Sequence, residues 1–269
     1  MKKIFEGYLL VSDMDGTLLN SNKKISDKNK KAIRYFVENG GMFTLATGRM
    51  VQSVENFIEE LDIKMPVILH NGAKIYNFYT KEVLIEHYIE DERKEAIRKV
   101  KDSFPHIGIE IFCDEVVYIY QSCESTKRYD KYNYQVVYEV PDEIWEKKWT
   151  KVLLIGEERE LDVFEEIYIE KYDSGNVFRS GENYLDVVAN GISKGKALEE
   201  LANKYNFNKE KIIAVGDNMN DIEMLALAKY GFFIKNGSSR ALENARLLAP
   251  SKDDNPIEYI VNYLEEIVR

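Results

Sequence analysis

Two cysteines in 269 residues, Cys113 and Cys123, are too few for a disulfide framework or a thiolate metal site. Both are read as reduced, buried and inert, which points to the cytoplasm. The three histidines, His70, His87 and His106, show no ligand spacing, so zinc is not expected. No apolar run approaches membrane-spanning length. The start Met1-Lys2-Lys3 resembles the head of a signal peptide, but Glu6, Gly7 and Asp13 interrupt the apolar run that would have to follow. Basic residues are in deficit, 37 Lys and Arg against 47 Asp and Glu. The resulting formal charge of -10 disfavours nucleic acid and anionic membranes as partners. An anionic substrate therefore needs a locally positive pocket. Low-complexity tracts and internal repeats are missing, and 45% hydrophobic with 31% charged residues is an ordinary globular profile. The length suits an α/β core with an inserted domain.

What is present begins with Tyr8-Leu9-Leu10-Val11, an apolar run that reads as a buried strand, followed by Asp13-Met14-Asp15-Gly16-Thr17-Leu18. Two carboxylates thus emerge at a strand's carboxyl end, where open α/β sheets bind ligands. Residues two apart in an extended chain share a face, so Asp13 and Asp15 crowd like charges unless a cation or a shared proton intervenes. Taken alone, an ordinary Asp-Gly turn fits these residues equally well. Ser26 is a plausible N-cap for a helix whose face is Ala32, Ile33, Phe36 and Val37, stopped by Gly40-Gly41. The next strand, Met42 to Ala46, ends in Thr47-Gly48-Arg49, and Met50, Val51, Val54, Phe57, Ile58 and Leu61 mark a helix behind it. Thr47 and Gly48 would then offer a hydroxyl, free N–H groups and a helix dipole to an anion. A third run, Pro66 to Leu69, stops at Asn71-Gly72, and βαβαβ implies a parallel sheet with right-handed crossovers.

The rhythm then changes. Paired strand-like runs, Gly108 to Cys113 with Val116 to Gln121 and Tyr134 to Val140 with Thr150 to Ile155, lie among helical patterns at Asp91 to Phe104 and Glu157 to Tyr172. Trp145 and Trp149 fall here as core residues. The expected organisation is a doubly wound, Rossmann-like parallel-sheet core over 1–78 and 189–269, with an α+β domain inserted at 79–188. Alternation resumes at Ser193-Lys194-Gly195, where Lys194 opens a helix and so opposes its dipole; an anion partner explains that better than stability does. Ile212 to Val215 is a strand leading into Gly216-Asp217-Asn218-Met219-Asn220-Asp221. After it come a helix from Ile222, a strand at Gly231 to Ile234, a helix around Ala241 to Leu247, and a last helix from Pro256 to Val268 facing the core with Ile257, Ile260, Val261, Leu264 and Ile267.

In a parallel sheet these loops converge on one edge. Clustered carboxylates repel unless a hard dication sits among them, and all-oxygen ligands suit Mg²⁺. Mg²⁺, Lys194, the Thr47 hydroxyl and the amides near Gly48 would together make the positive pocket a phosphoryl group needs. One carboxylate could attack phosphorus while a second serves as acid and then base.

Asp-Met-Asp-Gly-Thr-Leu, Ala-Thr-Gly-Arg, Ser-Lys-Gly and Gly-Asp-Asn-Met-Asn-Asp, in this order and spacing, resemble the four motifs of the haloacid dehalogenase superfamily, most closely its Cof-type, type IIB branch of sugar-phosphate phosphatases. The likeness covers the whole chain: Asn71-Gly72-Ala73 matches a further element of that branch, and the insertion falls where its members carry a cap. The resemblance implies Asp13 as nucleophile and Asp15 as general acid and base. It implies Mg²⁺ held by Asp13, the backbone carbonyl of Asp15 and Asp217. Phosphate would be held by Thr47, Gly48, Lys194, Asn220 and the Met14 N–H. Asp221 would orient Lys194 or a metal-bound water, with Arg49 and Asn71 in support. The expected activity is hydrolysis of small phosphorylated metabolites, sugar phosphates first. Phosphomutase is the alternative within enzymes, and a non-hydrolytic phosphate-sensing module the alternative outside them.

Overall fold

The computed structural model describes residues 3–131 and 134–269, apart from the side chains of 128–131. Met1 and Lys2, part of the start weighed above against a signal peptide, lie outside the described residues. The first apolar run is strand β1 (Leu9–Ser12), and it is buried on both faces. Leu10 belongs to one apolar cluster, with Phe36 and Ile260, while Leu9 and Val11 belong to another, with Leu198 and Met224. Burial on both sides is what a parallel sheet covered by helices requires. Ser26 caps α1 (Asp27–Glu38) by accepting a bond from the Asn29 N–H, and Ala32, Ile33 and Phe36 are buried as the spacing predicts. Val37 is instead on the solvent side.

β2 (Met42–Leu45), α2 (Glu55–Leu61) and β3 (Val67–Leu69) follow. Two expectations change here. The helix starts later than the apolar spacing suggests, because Val51–Ser53 is a single 3₁₀ turn and Met50 points into a different apolar cluster with Phe112 and Leu153. Thr47 and Gly48 therefore do not sit at a helix N-terminus. β3 joins β2 through one parallel bridge, Ala46 to Ile68, and then leaves the sheet to pair antiparallel with β4 (Lys74–Asn77), which pairs with β5 (Glu82–Glu86). The reversal runs through His70, Asn71 and Gly72, all with positive φ.

A second, six-stranded sheet follows, containing β6 (Gly108–Cys113), β7 (Val116–Gln121), β8 (Val136–Val137), β9 (Lys151–Ile155), β10 (Val177–Gly181) and β11 (Tyr184–Val187), in the order β10-β11-β9-β6-β7-β8. α3 (Asp91–Ser103) precedes β6, and α4 (Glu158–Lys171) follows β9. Both helices cover one face of the sheet, where Trp149, Phe164 and Tyr168 are buried with Ile109 and Leu154. β6 and β7 form the expected hairpin. Tyr134 to Val140 does not pair with Thr150 to Ile155: only Val136–Val137 is strand, parallel to β7, and β9 lies between β6 and β11. Cys113 is buried as expected, but Cys123 is partly exposed, and neither is bridged.

The chain then returns through α5 (Lys194–Tyr205), β12 (Ile212–Gly216), α6 (Ile222–Leu227), β13 (Tyr230–Ile234), α7 (Ser239–Leu242), β14 (Leu247–Ala249) and α8 (Pro256–Val268). Leu247 opens an edge strand rather than closing a helix, and Ile267 is exposed, whereas Ile257, Ile260, Val261 and Leu264 are buried. The first sheet has the order β14-β13-β12-β1-β2 and is parallel throughout. α1 and α8 share an apolar cluster on one face, and α5 and α6 on the other. The fold is thus a doubly wound α/β core carrying an inserted α+β unit. β1 connects onward to β2 on one side while β12 connects to β13 on the other, so the crevice above their carboxyl ends is the topological switch point. Among the described residues no helix is long and apolar enough to cross a membrane.

Candidate active site

The switch point brings the expected residues together. Asp13 follows β1, its N–H donating to the Val215 carbonyl at 2.9 Å, so the end of β1 lies beside the end of β12. Lys194, the first residue of α5, is 1% exposed and donates to Asp13 Oδ1 at 2.6 Å and Asp221 Oδ1 at 2.7 Å. The anion partner expected for it is thus a pair of carboxylates. Asp221 is fully engaged: its Oδ2 accepts the N–H groups of Asp217 and Asn218, both at 3.0 Å. Asp217 accepts the Thr17 hydroxyl at 2.7 Å.

Asp13, Asp217 and Asp221 each present a carboxylate oxygen within 4.8 Å of the others. Burial, with the charges of Asp221 and Asp217 added, pushes the Asp13 carboxyl well above its ordinary range against the pull of Lys194. Burial and then Asp221 raise Asp217 to about 6. Burial alone would lower Lys194, but Asp13 and Asp221 outweigh it and keep the ammonium charged. One lysine does not neutralise three carboxylates in so dry a place, and the set fits a hard dication: its donors are all oxygens, with no histidine or cysteine among them.

Asp15 follows a turn at Met14 and bridges to Leu19, and its carboxylate sits in the fork of Arg49, with Nε to Oδ2 at 2.7 Å and the second contact at 2.8 Å. Burial would raise this acid, but the bonds and charge of Arg49, with Lys23 behind them, hold it below its ordinary value. Arg49 thus supplies a cation beside the two aspartates, as their spacing requires. Met14 is buried in the core cluster.

Thr47 is buried, and its hydroxyl accepts the Arg49 N–H at 3.2 Å. Asn71, in left-handed backbone at φ 56°, donates its N–H to the Thr47 carbonyl at 3.0 Å, and its Oδ1 accepts from Asn220 Nδ2 at 3.0 Å. Asn71 thereby ties the Thr47 loop to the loop after β12.

Above these groups lies a cavity of about 700 Å³, a size that suits a small-molecule ligand. Its floor includes Asp13, Asp15, Thr47, Gly48, Asp217 and Asn220; its roof, from the second sheet, includes Phe112, Lys151, Leu153, Ser180, Tyr184 and Asp186. The roof residues escaped sequence reasoning. A lysine opening an apolar strand and an aspartate inside another read as strand-face polar residues, and no motif marks them. Glu115 also went unnoticed: it reaches from the β6–β7 turn to Lys74 and accepts the Val51 N–H at 3.1 Å.

Comparison with known proteins gives the family and the fold. A family model described as haloacid dehalogenase-like hydrolase matches residues 10–261. The 5-amino-6-(5-phospho-D-ribitylamino)uracil phosphatase YwtE of Bacillus subtilis is 26% identical over 280 residues, covering 94% of this chain and 96% of that protein. The crystal structure of TM0651 from Thermotoga maritima is 29% identical with a TM-score of 0.75, over 95% of this chain and 97% of its own. BT4131, a sugar phosphatase of subclass IIB, shares the fold at a TM-score of 0.84 and 21% identity, over 95% of this chain and 98% of its own.

Proposed function

We propose a function that starts from membership: this chain belongs to the haloacid dehalogenase-like hydrolase family. It is a hydrolase of the phosphatase class acting on a small phosphorylated substrate. The finer reading is a metal-dependent phosphomonoesterase that works through an aspartyl-phosphate on Asp13, with sugar phosphates as the first substrates to test. The observation that carries it is the cluster of Asp13, Asp217 and Asp221 beside Lys194 under a roofed cavity. Mg²⁺ fits this oxygen donor set, with Asp13, Asp217 and the Asp15 carbonyl as ligands, and when bound it would neutralise charge on the phosphoryl oxygens.

The chain's own residues divide the remaining work. Asp13, at the end of a buried strand, has one oxygen tied to Lys194, leaving the other to attack phosphorus as the bond to the leaving oxygen breaks. Lys194, Thr47, Gly48, Asn220 and the Met14 N–H hold the phosphoryl group, and Asp221 holds Lys194. Asp15, kept ionised by Arg49 as it stands, is suited to withdraw a proton from the water that hydrolyses the intermediate. Delivering a proton to the leaving oxygen in the first step requires it to leave Arg49 carrying one. The six-stranded sheet with α3 and α4 acts as the cap. Because β5 pairs with β4, we place the exchange between core and cap just after Glu86, a few residues beyond the sequence boundary at 79. Two unbridged cysteines accord with a reducing compartment, the cytoplasm.

The test is phosphate release from a panel of phosphorylated sugars, nucleotides and small acids, with Mg²⁺ and with chelator. Release should need the metal and vanish in Asp13→Asn with the fold retained. Hydrolysis above background in that variant would sink the assignment.

A further inference from the structure

Lys151 opens β9 in the cap and is almost completely buried, yet it lines the cavity. Its Nζ donates to the Gly48 carbonyl at 2.9 Å and lies 2.8 Å from Asp186 Oδ1, and Asp186 is in turn bonded by the Ser180 hydroxyl. A buried ion pair is a weak device for stability, since apolar residues of the same volume often do as well. Its position suggests another use. The carbonyl that Lys151 holds belongs to the peptide unit joining Gly48 to Arg49, and the N–H of that same unit donates to Thr47 Oγ1 at 3.2 Å. A peptide unit is planar, so fixing its oxygen fixes the direction of its N–H. Bonds at its two ends also polarise one another. Because the Thr47 oxygen accepts from Arg49, its own hydrogen must point elsewhere, and among the described residues no acceptor takes it. Thr47 lines the cavity floor.

We propose that Lys151 is a positioning residue that sets the Thr47 hydroxyl toward the phosphoryl group through the Gly48–Arg49 peptide. The chain of contacts runs from Ser180 and Asp186 through the ion pair to Lys151 and on through that peptide to Thr47, so the seating of the cap is felt at the phosphate-binding hydroxyl. This rests on the phosphatase reading, in which Thr47 holds phosphate.

The experiment uses the full chain with Mg²⁺ and measures competitive inhibition by inorganic phosphate, together with KM and kcat on phosphate esters of differing size. Lys151→Met should weaken phosphate binding by about 3- to 10-fold, the worth of one ordinary hydrogen bond, and by the same factor for every ester. In a Thr47→Val background the same change should have almost no further effect, because the hydroxyl it positions is gone. An effect confined to some esters would overturn the proposal by making Lys151 a direct contact of the leaving group. An undiminished effect beside Thr47→Val, or no effect at all, would overturn it too. Lys151→Met leaves Asp186 buried without its cation, so the double variant Lys151→Met/Asp186→Asn is measured in parallel and should show the same phosphate defect. The parent chain and Asp13→Asn in the same assay separate the two levels: no metal-dependent release from the parent refutes the phosphatase reading, and release that continues in Asp13→Asn refutes Asp13 as its nucleophile. Silence there with unchanged Lys151 variants refutes only the positioning role.

Discussion

Gly16 has φ +89°, and a Cβ at that position would lie 2.2 Å from Asp217 Oδ2. Both facts bear on the site, because the left-handed backbone turns the chain after Asp15 so that Thr17 meets Asp217, and the bare Cα lets Asp217 approach from the end of β12. Alanine would be strained at that φ and would also push Asp217 from its place against Thr17. We expect Gly16→Ala to fold, since the conflict is with a side chain at the cavity floor, but to lose about 100-fold in kcat, the scale on which a misplacement of 1 Å acts in an active site. Circular dichroism beside phosphate release checks both halves; near-normal turnover would mean that Asp217 tolerates the shift. Arg49 is the second residue whose geometry matters here. Its fork on Asp15 also explains why two aspartates only two apart in sequence differ so much, one raised by burial and one lowered by its partner.

The element that links core to cap is the stretch from Gly48 to Gln52. Lys151 holds its Gly48 carbonyl, Met50 fills the cap's apolar cluster beside Phe112, and Glu115 receives the Val51 N–H. Glu115 reaches it from a tight turn in which Asp114 and Glu115 both have positive φ, an uncommon backbone for residues of this kind. Burial would raise Glu115, but His70 and Lys74 outweigh it and hold the acid down at about 2. Burial also keeps the His70 ring below its ordinary value, so at neutral pH the lasting cation beside Glu115 is Lys74. An acid depressed by folding contributes stability above its unfolded value and loses it as pH falls through the folded one. The contribution of Glu115 should therefore fade from pH 4.5 down to about 2. Glu115→Gln should cost on the order of 1–3 kcal/mol at neutral pH and flatten the stability profile in that acid window, as read by thermal unfolding. Lys74 also pairs with Glu86 at 2.9 Å, and an unchanged profile would mean that this second carboxylate satisfies it alone. These contacts also mark the limit of what could be read from residues. The parallel strands, the cap of α1 by Ser26 and the convergence of Asp13, Lys194 and Asp217 follow from local periodicity and from the rule that loops gather at one sheet edge. The direction of Asp15 and the roles of Glu115, Lys151 and Asp186 depend on how a second sheet lies across the first, and no local pattern carries that. Met50 departs from its spacing for the same reason: the spacing suits the helix behind it, and only the cap's apolar face explains its turning away.

At the scale of the whole molecule, a chain with formal charge -10 gathers three carboxylates around one lysine at the centre of its fold. Such a site works against folding in the absence of a cation. Asp217, raised to about 6 by burial and then by Asp221, is an acid whose ionisation is harder in the folded chain than in the unfolded one. The sign follows from that: the penalty is absent below the ordinary value of 3.8, grows as pH rises, and is complete above about 6. Asp217→Asn removes the charge while its amide oxygen can still accept the Thr17 hydroxyl, so the metal-free protein at neutral pH should become more stable by roughly 1–3 kcal/mol. The same variant should lose turnover and lose the stabilisation that Mg²⁺ confers on the parent chain, because a ligand bound only by the folded state raises its unfolding temperature. Differential scanning calorimetry in chelator and in Mg²⁺, on both proteins, reads all of this in four traces. A parent chain more stable than Asp217→Asn in chelator would show that the carboxylate serves the fold. A metal-induced rise of equal size in both proteins would place the cation elsewhere. The expected crossing, variant above parent without metal and parent above variant with it, is the thermodynamic signature of a site that sacrifices stability for the charge it must hold.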